Sequence, residues 1–105
     1  MATHIKTDGT NTKVTPKNGK TFTLRELQGF VGGTIDIQDL PNGASIVLND
    51  NGKLEGMPKN EVVTSIWKNA YPIEDYPYNN DELIVGDILF VGKDEQHELN
   101  DEEDV

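Results

Sequence analysis

Two stretches of the chain carry residue types that could do chemistry. The first is Asn49-Asp50-Asn51-Gly52-Lys53-Leu54-Glu55-Gly56, where carboxylate and amide oxygens surround a glycine and a lysine follows. A calcium loop needs its first carboxylate five residues before the invariant glycine and a bidentate glutamate six after it. With Gly52 in that role, those positions hold Val47 and Pro58, so the pattern fails at both anchors and reads as a hairpin turn. A phosphate cradle of Gly32-Gly33 with Lys53 fails too. The glycines follow a helix, and a helix C-terminus carries partial negative charge. The second stretch is 71–82, where Tyr71, Tyr76 and Tyr78 are stiffened by Pro72 and Pro77. Such tyrosines either pack down as a lid or present aromatic contact surface to a partner or planar ligand.

Other reactive side chains do not gather. His4 and His97 have no second histidine at ligand spacing, and Ser45 and Ser65 sit in no nucleophile elbow. The chain has no cysteine, which removes disulfides, thiolate zinc sites and cysteine nucleophiles. No metal or cofactor is called for, and the expectation is a protein that is not an enzyme. The contact residues to bet on are Tyr71, Tyr76 and Tyr78, with Asn51 and Lys53 as secondary polar contacts.

These residues need a scaffold, and 105 residues allow one small core. Apolar residues make up 34% and charged residues 27%, with a formal net charge of −10. Residues 93–105 carry −6 of that charge, leaving −4 for 1–92. The expected organisation is a single domain over 1–92 and an acidic, disordered tail over 93–105. The acidity argues against direct nucleic-acid binding. No apolar run is long enough for a membrane helix, and no secretory signal is visible.

Local signals predict the elements. Ile5 and Val14 flank an Asp8-Gly9 turn, as in an edge hairpin. Thr23 and Glu26 form a capping box, with Phe22 and Leu27 as the hydrophobic staple. Leu24, Leu27, Phe30 and Val31 would share the buried face of this first helix, which Gly32 stops. Strands follow around Ile35 and Ile37 and over 44–48, joined by Pro41-Asn42-Gly43. With an extended piece over 53–55 they predict a three-stranded meander on the helix. Asn60 caps a second helix with Val63, Ile66, Trp67 and Ala70 on one face. Residues 83–91 form a last strand, interrupted at Gly86-Asp87, and Gly92 closes the domain. The fold class is α+β: a small, mostly antiparallel sheet of about five strands packed with two short helices.

Residues 23–37 (TLRELQGFVGGTIDI), the later run SIVLNDNGKLEGMPKNEVVT and the run IVGDILFVG together resemble an uncharacterised family of small bacterial proteins. Its members are domains of unknown function common in bacteriophages, prophages and other mobile elements, and the resemblance covers about 14–92. It implies an accessory protein working in the cytoplasm of a bacterial host. The function expected is non-enzymatic binding of a host protein or small ligand, antagonising a host process such as defence. Two alternatives stand beside it. One is an acidic DNA mimic that inhibits a nucleic-acid-binding protein. The other is a protein that sequesters a nucleotide signal, with a basic pocket at a dimer interface; a homodimer is compatible with the sequence.

Overall fold

The computed structural model describes residues 1–70 and 83–99. The tyrosine-bearing stretch 71–82 and residues 100–105 lie outside the described residues. Five strands form one antiparallel sheet: β1 (Ala2–Ile5), β2 (Asn11–Val14), β3 (Ile35–Asp39), β4 (Ser45–Asn49) and β5 (Ile88–Val91). Their order is β2-β1-β5-β4-β3, so β2 and β3 are the outer strands among the described residues. Two helices, α1 (Leu24–Val31) and α2 (Glu61–Asn69), complete the α+β fold.

The central strands explain the layering. In β4 and β5 successive side chains point to opposite faces, and both sequences, SIVLN and ILFV, are apolar on both. Ile46 and Ile88 pack with Ile5, Val63 and Trp67 beneath α2. Val47, Leu89 and Val91 pack with Phe22, Leu27 and Val31 beneath α1. The two helices therefore cover opposite faces of the sheet.

The predicted helix starts are in place. Thr23 accepts from the Glu26 amide and Glu26 returns a bond to the Thr23 amide, completing the capping box. Gly32 ends α1 at φ 81°. Thr23→Ala should cost about 1 kcal/mol of stability in urea unfolding, the usual value of such a cap.

Some expectations are corrected. Residues 53–55 form no strand: the Glu55 amide bonds Asn51 O and the Gly56 amide bonds Lys53 O, so the chain coils. The second neighbour of β4 is β5, with Ile46 opposite Phe90. A double-faced apolar strand needs a partner that is equally buried, and only β5 offers that. Leu24 and Ile37 are exposed rather than core. Of the region 83–91 only Ile88–Val91 is strand, although Val85 makes an isolated bridge to Lys59.

The fold also runs on past Gly92. Residues Lys93–Glu98 form a 3-10 helix, tied down by Gln96 Nε2 donating to Val91 O and Gly92 O. Glu98 O accepts from the Phe22 amide at 2.8 Å, and Leu99 packs on the α1-side core. Charge alone suggested a tail from residue 93. Specific backbone bonds and one leucine hold its first seven residues to the domain.

Candidate functional site

The connection from β2 to α1 is built from turn chemistry. After buried Pro16, Asn18 Oδ1 accepts from the Lys20 and Thr21 amides at 2.8 and 3.0 Å, and Gly19 turns at φ 78°. Glu26 then clamps this connection to the helix. Its Oε1 accepts from the Thr23 amide at 2.8 Å and its Oε2 from the Lys17 amide at 3.1 Å. The two bonds hold the Glu26 carboxyl below the usual glutamate range, the Thr23 amide contributing most and the Lys17 charge adding to it.

A lowered folded pKa has a defined sign. The stability Glu26 contributes is present above its unfolded pKa and is lost as pH falls through the lower folded value. Glu26→Gln keeps one oxygen able to cap, loses the second amide bond and removes the titration. Thermal unfolding of the wild type should therefore lose more stability than the variant as pH falls from neutral through the carboxylate range. Parallel curves would remove the clamp's charge from the account.

Between the clamped connection and α1 lies an open groove of about 750 Å³. Val14, Gly29 and Phe30 give it an apolar floor, while Thr15, Lys17, Asn18, Thr23, Arg25 and Glu26 supply the polar rim. Phe30 is fixed by an edge contact with Phe22 at 5.8 Å and by His4 at 5.0 Å. The His4 Nε2 donates to Phe30 O at 2.9 Å, so this imidazole caps a helix carbonyl. A Cβ at Gly29 would meet no atom within 4 Å. Gly29→Ala should therefore stabilise the helix by about 0.5–1 kcal/mol, measured by urea unfolding, while filling part of the floor.

The electrostatics of the groove are unlike those of the chain. Both Glu26 oxygens are committed to backbone amides; Arg25 makes no ion pair with any described residue, and Lys17 meets Glu26 only through its longer-range charge, so the lining is positive by one. This local sign has a sequence source. Residues 1–25 hold five of the nine basic residues and a single acid, Asp8, a net of +4. The formal −10 of the chain therefore leaves −14 on residues 26–105.

Two other hollows differ in kind. One of about 560 Å³ is lined by Ile37, Asp39, Ser45, Gln96, His97 and Leu99. It brings a serine, a histidine and an aspartate together, but Ser45 Oγ lies 2.8 Å from Asp39 Oδ1 and 3.1 Å from Gln96 Oε1. Its proton serves those acceptors, and the buried hydroxyl makes no bond to His97, so the cluster ties the 3-10 helix to β4. The other, about 310 Å³, runs from Phe30 and Gly32 to Met57, Gly86 and Asp87. Among the described residues, no group of three His, Asp or Glu side chains could hold a metal ion. No described helix is long and apolar enough to cross a membrane.

Of the residues singled out in the sequence, Asn51 and Lys53 sit in the turns after β4, exposed and outside the hollows described above. The Asn51 amide bonds Asn49 Oδ1 at 2.7 Å and its carbonyl serves Glu55, which gives it a turn-forming duty. Tyr71, Tyr76 and Tyr78 lie outside the described residues. The structure instead brings together Val14, Lys17, Arg25 and Phe30, which residue type alone did not single out.

Residues 4–104 match the family described as Domain of unknown function (DUF3846), a longer span than the resemblance over 14–92. No curated protein and no solved structure matches the chain.

Proposed function

The chain belongs to the DUF3846 family, and from that premise we propose that it acts by binding, as an accessory protein whose β2–α1 groove grips a segment of a host protein. The setting is the one the sequence resemblance implies: a phage or mobile element and the cytoplasm of its bacterial host. The observation that carries the reading is the groove's composition. An apolar floor beside two cations, Lys17 and Arg25, that outnumber the single acid Glu26 can hold a mixed apolar and anionic surface. Its glycine supports the same view, because Gly29 gives up helix propensity at a position where alanine would fit and leaves the floor open. Sequestration of a nucleotide signal would draw on several clustered Lys or Arg side chains, and the groove offers two, Lys17 and Arg25. Lys53, Lys59 and Lys68 line none of the hollows described, and Lys59 lies 3.9 Å from Glu61.

The test is a comparative pull-down from host lysate with the full chain and with Lys17→Glu/Arg25→Glu. A host protein retained by the wild type should be lost from the variant, with circular dichroism showing both folded. Both side chains are exposed, so the substitutions should leave the melting temperature within a few degrees. Retention of every captured protein by the variant would remove the groove from the function.

A further inference from the structure

We infer that the groove takes an acidic peptide in extended conformation, laid against the outer edge of β2, with carboxylates on Lys17 and Arg25 and an apolar side chain over Phe30. The inference rests on the groove being the contact surface and names the chemistry of what enters it.

Three observations converge. First, β2 is an outer strand of the sheet, and its last residue, Val14, lines the groove. In an antiparallel edge strand, alternate residues turn their N–H and C=O away from the sheet, which is the template for adding a strand. Second, cations outnumber acids on the rim: Lys17 and Arg25 stand against Glu26 alone, and neither forms a salt bridge with a described residue. Glu26, the one acid lining the groove, already spends both oxygens on the Thr23 and Lys17 amides. Third, floor and rim differ in polarity, and an extended peptide presents alternate residues to opposite sides. A sequence alternating acidic and apolar residues satisfies both.

The charge distribution limits the size and kind of anion. Residues 1–25 carry +4 and the other described residues −6, which disfavours a polyanion that extends beyond the ribbon. A short acidic peptide stays within the basic region, whereas a nucleic-acid strand overruns it. The competing account is that a short, lysine-bearing edge only protects against aggregation. Lys13 does reach back, its Nζ 2.8 Å from Thr3 Oγ1, and so fits that account. Lys17 and Arg25 lie beyond the strand and are not explained by it.

The experiment is fluorescence anisotropy on the full chain with a labelled synthetic peptide of about eight residues alternating glutamate and valine. Saturable binding is expected, weakened by at least about tenfold in Lys17→Glu/Arg25→Glu and falling as salt rises. A peptide of the same sequence, N-methylated on alternate amides along one edge, should lose binding, because its charges persist while strand pairing does not. Both methylation phases are tried, since one edge faces the protein. Equal binding of both methylated peptides, equal binding of an oligothymidylate, or no binding of the glutamate–valine peptide would overturn the inference. A host protein that depends on Lys17 and Arg25 in the pull-down while the peptide fails leaves the groove in place and removes the peptide class. Loss of both results removes the groove itself.

Discussion

Replacing Asn60 with alanine should lower the unfolding free energy by about 3 kcal/mol, a large share of the stability of a domain this size. Asn60 is fully buried and makes three bonds with one side chain. Its Oδ1 accepts from the Val63 amide and caps α2, while its Nδ2 donates to Ile5 O and Gly86 O at 3.0 Å each. The three partners belong to α2, to the end of β1 and to the turn before β5. One amide thus joins a helix to two segments distant in sequence. Alanine removes the cap, worth about 1 kcal/mol, and leaves two buried carbonyls without this donor. Asn60→Ser separates these contributions, because serine can cap a helix but is too short to bridge both carbonyls. Urea midpoints should place serine between asparagine and alanine, with unchanged m-values. A serine variant as stable as the wild type would show that bridging contributes nothing.

The same residue marks how far the sequence could be read. Asn60 as a helix start was legible because capping is local: its oxygen meets an amide three residues on. The Thr23–Glu26 box and the Asp8-Gly9 turn were legible for the same reason. The donors of Asn60, which reach residues 55 and 26 positions away, were not. Nor was the pairing of β4 with β5, across about forty residues, since hydrophobic alternation says which face a residue takes and not which strand lies beside it. The groove was hidden by the same rule. Lys17 and Arg25 are eight positions apart, and they share a rim only because an Asn18 turn and the Glu26 clamp fold the connection back on α1. What was present in the sequence was the concentration of basic residues before Arg25. Averaging charge over the whole domain concealed it. At Asn51 the sequence's reading of a turn is met, its amide bonding Asn49 Oδ1 and its carbonyl serving Glu55.

Gly86→Ala should cost about 3 kcal/mol, through two effects that a double-mutant cycle can divide. The residue sits at φ +82°, in the left-handed region, where a Cβ costs about 1 kcal/mol. That Cβ would also lie 2.8 Å from Met57 Sδ and 3.7 Å from Met57 Cβ. Met57 is hemmed in on other sides. A Cβ on Gly52 would come within 3.4 Å of the same sulfur, and one on Gly32 within 3.9 Å of its methyl. Three turns, ending α1, following β4 and preceding β5, therefore converge on one thioether, and each does so with a glycine. A methionine can move, and its ability to do so decides the result. If the sulfur cannot leave, Gly86→Ala in a Met57→Ala background should cost only the backbone contribution of about 1 kcal/mol, leaving a coupling of about 2 kcal/mol. If the alanine costs the same in both backgrounds, φ alone governs the position and the thioether contact is incidental. The consequence reaches the groove, because Phe30 and Gly29 line both it and the hollow that Met57 and Gly86 enclose. A displaced Met57 should push on the Phe30 side of that shared wall. Gly86→Ala should then weaken binding of the glutamate–valine peptide, and Gly86→Ala/Met57→Ala should recover it.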